Sequence, residues 1–238
     1  MTRLAQAGGG MSEAGKGVWA SNLQSEVNFW RSWLNDTKHS EGRQARIAGT
    51  KIFAQYYLDL IKAPPGRDIR VLDVGSGPVS TLGTPARNNR VELVCTDALA
   101  DHYNTLLGEA GYVDLPRIQK VKGENLLRAF GPDSFDIVHC ANALDHFEDP
   151  ALSFENMFRV CKPGGAVVVI SVENEGEREH YQGLHQWNLR ADDSGFLLGS
   201  KSGNENLLLR AANGRYSWHY LPSPAEYRIF RVTVIKNG

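Results

Sequence analysis

From position 69 onward the chain alternates short β-branched runs with helical patterns, and few architectures accept that order. Residues 69–74, 91–96, 117–122, 135–141 and 165–172 read as strands. Leu99, Tyr103, Leu106, Leu107 and Ala110 recur at helical spacing between the second and third of them, and Phe154, Met157, Phe158 and Cys161 between the fourth and fifth. Asp149 stands where a helix N-cap is needed, with Pro150 at the first helical position. Several strands are apolar on both faces, as happens when helices cover both sides of a parallel sheet. The expected fold class is therefore α/β, a doubly wound and mostly parallel sheet. Residues 227–236 are apolar at odd and even positions alike, which predicts a further interior strand. The connection before it, Pro222-Ser223-Pro224, is too short for a helical crossover, so that strand should pair antiparallel.

Upstream of the sheet, Ser21 with Gln24 three residues on resembles a capping box, followed by Leu23, Val27, Trp30 and Leu34 at helical spacing. A second helical pattern, Ile47, Ala54, Leu58 and Ile61, stops at Pro64-Pro65-Gly66, because proline lacks the amide and clashes with the preceding turn. Residues 18–65 thus form a helical preamble to a domain at 66–238. Residues 1–17, with Gly8-Gly9-Gly10 and no apolar stretch of a secretory signal, are expected as a flexible tail, and Met11 is a second candidate start. Between 173 and 222 the periodicity breaks down, and this stretch, rich in Trp, His and Asn, is expected as an insertion over the carboxyl edge of the sheet.

Charge and composition remove several partner classes. Lys plus Arg total 26 and Asp plus Glu 27, a formal charge of -1, which supplies no field for generic nucleic-acid or acidic-membrane binding. The longest apolar run, residues 166–170, falls far short of the roughly 20 residues that span a bilayer. Cys95, Cys140 and Cys161 sit in apolar contexts without metal-ligand spacing, which reads as buried reduced thiols and a cytoplasmic protein.

In open α/β sheets ligands bind beyond the carboxyl ends of the strands, so the turn after the first strand carries the most information. It reads Asp73-Val74-Gly75-Ser76-Gly77-Pro78. Gly75 and Gly77 permit a sharp turn and close approach to a ligand, and Asp73 can accept hydrogen bonds from a loop amide or a ligand ammonium. Taken alone, the same turn also suits an ordinary tight strand-to-helix connection. Asp97 ends the second strand about 20 residues later, where a carboxylate meets both hydroxyls of a ribose. Ser80 occupies the position of the third glycine of a dinucleotide fingerprint, and Gly83 and Pro85 interrupt the helix that would face a pyrophosphate. A nucleoside-like cofactor without phosphates is expected.

These residues resemble the class I S-adenosylmethionine-dependent methyltransferases, in their small-molecule branch, over residues 69–172. Asp73-x-Gly75-x-Gly77 is similar to that family's first motif, with Val79 where a further glycine is common. Asp97 matches its ribose-binding acid, and Gly123-Glu124-Asn125 its adenine-edge segment, although an ordinary helix start reads equally well there. The stretch 135–150 resembles its fourth strand and following loop, and Arg159-Val160-Cys161-Lys162-Pro163-Gly164-Gly165 its turn into strand five. The resemblance implies a seven-stranded sheet and S-adenosyl-L-methionine as cofactor. It further implies cofactor contacts from Asp73, Gly75, Ser76, Gly77, Asp97, Ala98, Glu124, Asn125 and Asn142. It also implies a lid made by residues 18–65, with Trp19, Phe29, Trp30 or Trp33 as apolar cover; aromatics at that spacing equally make core. Lys38, Arg43, Arg46 and Lys51, opposed by Glu41, read as a solvated face of the same preamble.

A sulfonium methyl is already activated, so aligning a nucleophile and excluding water can suffice, and a base adds to the rate when the acceptor is a hydroxyl. His146, just past strand four, and His185 in the insertion are the candidate catalytic residues, with Asp145 beside the first as a possible holder. A hydrogen bond to the loop or to the cofactor's methionine end is the alternative for His146, and a packed helix the alternative for His185 and Trp187. His180, Tyr181, Trp187 and Asn188 are the candidate substrate-binding residues, suited to a polar, aromatic-walled pocket for a sugar or polyhydroxylated metabolite. No metal is expected, because His180 and His185 lie five residues apart rather than four and no third ligand is evident. The chain is thus expected to methylate a small molecule, at a hydroxyl of a sugar or natural-product intermediate. The rival readings are a sensor or partner subunit that binds S-adenosylmethionine without turnover, and an RNA or protein methyltransferase. No Asn-Pro-Pro-Tyr-like tetrad follows strand four to suit planar nitrogen acceptors.

Overall fold

A computed structural model describes residues 13–36, 41–48, 54–83, 90–112, 115–200, 203–212, 216–222 and 228–238. Three helices, α1 (Glu13–Asn35), α2 (Glu41–Ile47) and α3 (Gln55–Leu60), precede β1 (Asp68–Val74) and β2 (Arg90–Asp97). Then follow α4 (Ala100–Glu109), β3 (Gln119–Lys120), α5 (Leu126–Phe130), β4 (Phe135–Ala141), α6 (Pro150–Val160) and β5 (Cys161–Val172). The remaining elements are α7 (Glu175–Arg178), β6 (Asn188–Asp192), β7 (Gly195–Ser200), β8 (Gly203–Asn206), α8 (Leu207–Ala212), β9 (Tyr216–Pro222) and β10 (Ile229–Lys236).

Seven strands make one sheet in the order β3-β2-β1-β4-β5-β10-β9. The first five run parallel, with Leu72 of β1 beside Val94 of β2 and Val138 of β4, and Val138 beside Val167 of β5. β10 is antiparallel to both β5 and β9, as its short lead-in predicts, and lies inside the sheet. The alternation of side chains in β4 shows why the strands read as apolar throughout. Val138 and Cys140 join Phe154, Met157 and Phe158 of α6 on one face. Ile137 joins Tyr57 and Leu58 of α3 on the other. α1 and α4 share a third cluster through Val27, Leu34, Tyr103 and Leu106. Asp149 caps α6 by accepting from the Leu152 amide at 2.9 Å, with Pro150 in the first turn. The three cysteines are buried and reduced. Among the described residues, no helix is long and apolar enough to cross a membrane.

Four local expectations change. Ser21 lies inside α1, which starts at Glu13 and takes in residues 13–17 of the expected tail. No proline stands between Glu13 and Ser21, and Gly15 and Gly17 cost a helix only about 1 kcal/mol each, which its buried face offsets. Residues 1–12 lie outside the described part. The second helical pattern is divided between α2 and α3. β3 shrinks to two residues on the sheet edge, where it has a single parallel partner, β2. The stretch 173–222 is far from irregular: β6, β7 and β8 form an antiparallel sheet, and 216–222 is the seventh strand of the main one. Leu189, Phe196, Leu198, Leu207 and Leu208 join the α6 side of the core, with the Phe196 ring 5.3 Å from that of Phe154. Much of this segment therefore packs on the α6 flank, while its start reaches the carboxyl edge of the sheet, where His185 meets His146.

Candidate active site

Where β1 ends, the chain turns through Gly75 and Gly77 at φ +66° and +60°, a region that side chains disfavour. The Gly75 and Ser76 amides donate to the Thr96 carbonyl of β2 at 2.8 and 3.1 Å, which pins the turn across the strand ends. A Cβ on Gly75 would lie 2.5 Å from Ala143 Cβ, and one on Gly77 2.8 Å from Trp30 Cζ2. The turn is thus packed between the β4 loop and α1.

Asp97 closes β2 and faces this turn. Its Oδ2 accepts from the Gly77 amide at 3.1 Å and its Oδ1 from the Leu99 amide at 2.9 Å. Burial pushes the Asp97 carboxyl up to about 6, and the two amide bonds act against that rise. A carboxylate offers about four acceptor positions, so two amides leave capacity for two ligand hydroxyls. Gly75, Ser76, Gly77, Asp97 and Ala98 line a cavity of about 170 Å³. Glu124, Asn142 and His146 reach the same cavity. A nucleoside diol, which donates two hydroxyls, fits the acceptor positions left on Asp97.

Two of the expected cofactor residues are elsewhere. Asp73 is buried beneath the turn, where it accepts from Ser80 Oγ at 2.6 Å and pairs with His139 Nδ1 at 2.8 Å. It shapes the turn rather than the cavity wall. Asn125 is exposed and does not line the cavity; Lys122 and Gly123 do, beside Glu124. Burial raises the Glu124 carboxyl, whose Oε1 accepts from the Asp149 amide at 2.9 Å.

At the end of β4 the chain enters Asn142 at φ +48° and then a 3-10 turn, Leu144–His146. Asp145 in that turn is buried, and its Oδ2 lies 2.9 Å from His185 Nδ1 and 3.4 Å from His146 Nε2. The two ring nitrogens are themselves 3.0 Å apart. Burial by itself would raise the Asp145 carboxyl, but His146 and His185 outweigh it and hold the group below its ordinary value. For His185 burial acts downward, and the Asp145 hydrogen bond and charge, with Glu175 and Glu179, lift it above the usual imidazole value. These three are also the described residues whose donor atoms converge as metal ligands would.

The expected substrate-binding residues are not brought to the cavity. Trp187 is core, its indole N–H donating to the Phe147 carbonyl at 2.9 Å. Asn188 donates to the Tyr181 hydroxyl at 3.0 Å and accepts from the Glu177 amide at 2.8 Å, so both brace the segment around α7. His180 is exposed. From the insertion it is Leu184 that lines the cavity, and His185 that meets His146.

Of the aromatics offered as lid cover, Trp30 lines the cavity, and Glu26, which the sequence reading does not single out, lines it too, joined by a 2.7 Å hydrogen bond from the indole to Glu26 Oε1. Their i, i+4 spacing was the available signal. Phe29 is exposed, Trp33 packs on the α1–α4 cluster, and the Trp19 side chain is outside the described residues. Arg46 is no solvated side chain: it donates to the carbonyls of Val79 and Ser80 and reaches the cavity. The side chains of Lys38, Arg43 and Lys51 lie outside the described part.

Residues 72–169 match a family described as a methyltransferase domain. A demethylmenaquinone methyltransferase of Renibacterium salmoninarum is 29% identical over 120 residues, covering 50% of this chain and 47% of that protein. The 24-methylenesterol C-methyltransferase 2 of Oryza sativa subsp. japonica is 28% identical over 175 residues, covering 69% and 47%. The chain thus spans about half the length of the curated relatives it matches. Among solved structures, a phosphoethanolamine N-methyltransferase 2 of Haemonchus contortus, in complex with phosphomonomethylethanolamine and S-adenosylhomocysteine, shares the fold. Its TM-score is 0.58 at 13% identity, over 92% of this chain and 59% of that one. The sheet order and the two-glycine turn with Asp97 opposite it agree with these comparisons, in which residues 72–169 are similar to a methyltransferase domain.

Proposed function

We propose that the protein transfers the methyl group of S-adenosylmethionine to a small molecule that presents a hydroxyl to His146. The observation that carries this reading is that Asp97, with two acceptor positions to spare, and His146, tied to His185 and Asp145, line or adjoin one cavity. The cofactor, when bound, supplies a methyl already activated on a sulfonium. Asp97 accepts from the ribose hydroxyls, while the Gly75–Gly77 turn fixes where the nucleoside lies. Trp30 and Tyr103 cover the cavity and exclude water. His146 takes the proton of the acceptor hydroxyl, and the buried Asp145 carboxylate stabilises the resulting charge on the paired imidazoles, a contribution of about 10²–10⁴ in rate.

A hydroxyl of a sugar or natural-product intermediate is the acceptor favoured by the sequence reading. Removing such a proton also activates a carbon conjugated to the oxygen. That second reading, carbon methylation of a phenol-like or enolisable acceptor, is favoured by the names of the relatives, one acting on demethylmenaquinone and one a sterol C-methyltransferase. The test is calorimetry with S-adenosylmethionine and S-adenosylhomocysteine, then transfer of labelled methyl to a panel of sugars, phenols, quinols and sterols with an RNA arm. The position of the label in the product separates oxygen from carbon. His146→Ala and His185→Ala should keep nucleoside affinity and lose transfer about 10²-fold or more. Rates equal to the parent's would remove the base from the mechanism. Nucleoside binding without transfer to any acceptor would favour the sensor reading.

A further inference from the structure

Three donor atoms on two segments, contributed by residues 145, 146 and 185, meet at one point. His185 Nδ1 and Asp145 Oδ2 are 2.9 Å apart, the two ring nitrogens 3.0 Å, and His146 Nε2 and Asp145 Oδ2 3.4 Å. Hydrogen bonding alone satisfies this triangle poorly. A proton on His185 Nδ1 can be shared with the carboxylate and with the other ring, but the third edge then sets the His146 lone pair against a carboxylate oxygen. A proton on both rings sets two N–H groups against each other. One cation satisfies all three edges at once. With ligand distances of about 2.1 Å, donors are separated by about 3.0 Å at right angles and about 3.4 Å at tetrahedral angles, the range seen here. The imidazole planes are 78° apart with centroids at 4.4 Å, so the rings meet edge on rather than stacking.

A second observation points the same way. Asp145 Oδ1 is buried and has no hydrogen-bond partner among the described residues. Its side chain is 1% exposed, with the two imidazoles as its ion-pair partners. A buried carboxylate with one idle oxygen is costly unless something takes up the charge. The histidine side chains are 17% and 29% exposed, so a bound ion would be anchored by Asp145 from behind and open toward the cavity that His146 lines.

We propose that Asp145, His146 and His185 form a binding site for one divalent first-row transition-metal ion. Two imidazoles and one carboxylate suit such an ion better than magnesium or calcium, which prefer oxygen ligands. Its role rests on the methyl-transfer reading above. An open coordination position takes the acceptor oxygen, and the ion, in place of an imidazole base, lowers the pKa of that hydroxyl. The O–H proton then leaves to solvent, the nucleophile bonds to the methyl carbon, and the carbon–sulfur pair stays on sulfur.

The test is titration of chelator-stripped full-length protein with Co(II) alone, read by visible absorption and calorimetry. One equivalent should bind, with a d–d band that EDTA abolishes. His146→Ala and His185→Ala should each weaken Co(II) at least tenfold while keeping S-adenosylhomocysteine affinity, which shows that the variants are folded. His180→Ala, an exposed imidazole outside the triangle, should match the parent. Absence of the band, or parental Co(II) affinity in both histidine variants, overturns the proposal. Nucleoside binding without Co(II) binding rejects the metal and leaves the methyl-transfer reading standing; Co(II) binding without nucleoside binding does the reverse.

Discussion

Replacing Asp97 by alanine separates the ligand-binding role of that side chain from its structural one. The carboxylate accepts the Gly77 and Leu99 amides at 3.1 and 2.9 Å, and its two remaining acceptor positions are those assigned to the ribose. Hydrogen bonds to a charged acceptor are worth about 1.5–3 kcal/mol each, so losing two costs about 3–6 kcal/mol of binding. That is roughly a 10²- to 10⁴-fold weaker Kd for S-adenosylhomocysteine by calorimetry. Stability should change much less, because both amides border a cavity that water can enter and the variant no longer carries a poorly solvated charge. The sign of the pH effect follows. Burial lifts Asp97 to about 6, so the ligand-free fold binds this proton more tightly than the unfolded chain and loses stability as pH rises from about 4 through about 6. The difference in stability between parent and Asp97→Ala should therefore move in the variant's favour across that window. Nucleoside affinity of the parent should rise with pH over the same interval, as the carboxylate ionises, and the variant should lack that component. A Kd within threefold of the parent's would refute the assignment of Asp97 to the ribose.

Other substitutions probe the remaining supports. Trp30→Ala removes the cover that touches the Gly77 position and should weaken S-adenosylhomocysteine roughly tenfold, about 1.4 kcal/mol, in the same calorimetric assay; parental affinity would remove α1 from the site. Gly75→Ala combines a left-handed φ with a 2.5 Å approach to Ala143 Cβ and should cost at least about 1–3 kcal/mol in denaturant unfolding. Phe196→Ala should cost about 3–5 kcal/mol in a single transition, since Phe196 packs between Phe154 and Phe230; a separate early transition would show the insertion to be an independent unit. Asp149→Ala should lower stability by about 1 kcal/mol through the lost α6 cap and leave methyl transfer unaltered.

Much of the sheet was legible because its signals are local. Alternation of β-branched runs with helical periods places β1, β2, β4, β5 and β10, and Asp149-Pro150 marks the start of α6 within a residue. The insertion was less legible for a physical reason. β6 reads Asn-Leu-Arg-Ala-Asp, where only alternate residues meet the core, and Leu189 is fully buried while Arg190 is exposed. Strands that short and half-polar gain their stability from partners distant in sequence, so propensity says little about them. Tyr181, Trp187 and Asn188 misled because their residue types suit a binding wall as well as a brace. Which of the two they form depends on the partners they meet.

The amino-acid sequence on its own determined the doubly wound sheet, the antiparallel final strand, and the pairing of a two-glycine turn with Asp97. Each follows from hydrophobic period, turn chemistry and spacing along one chain. Tertiary structure alone decided that Asp73 lies under the turn, that Trp30 rather than Phe29 or Trp33 lines the cavity, and that His185 meets His146 and Asp145 from about 40 residues away. Those contacts depend on how β4 and the start of the insertion come together once the core has packed. A contact between distant segments leaves no periodic trace in either of them.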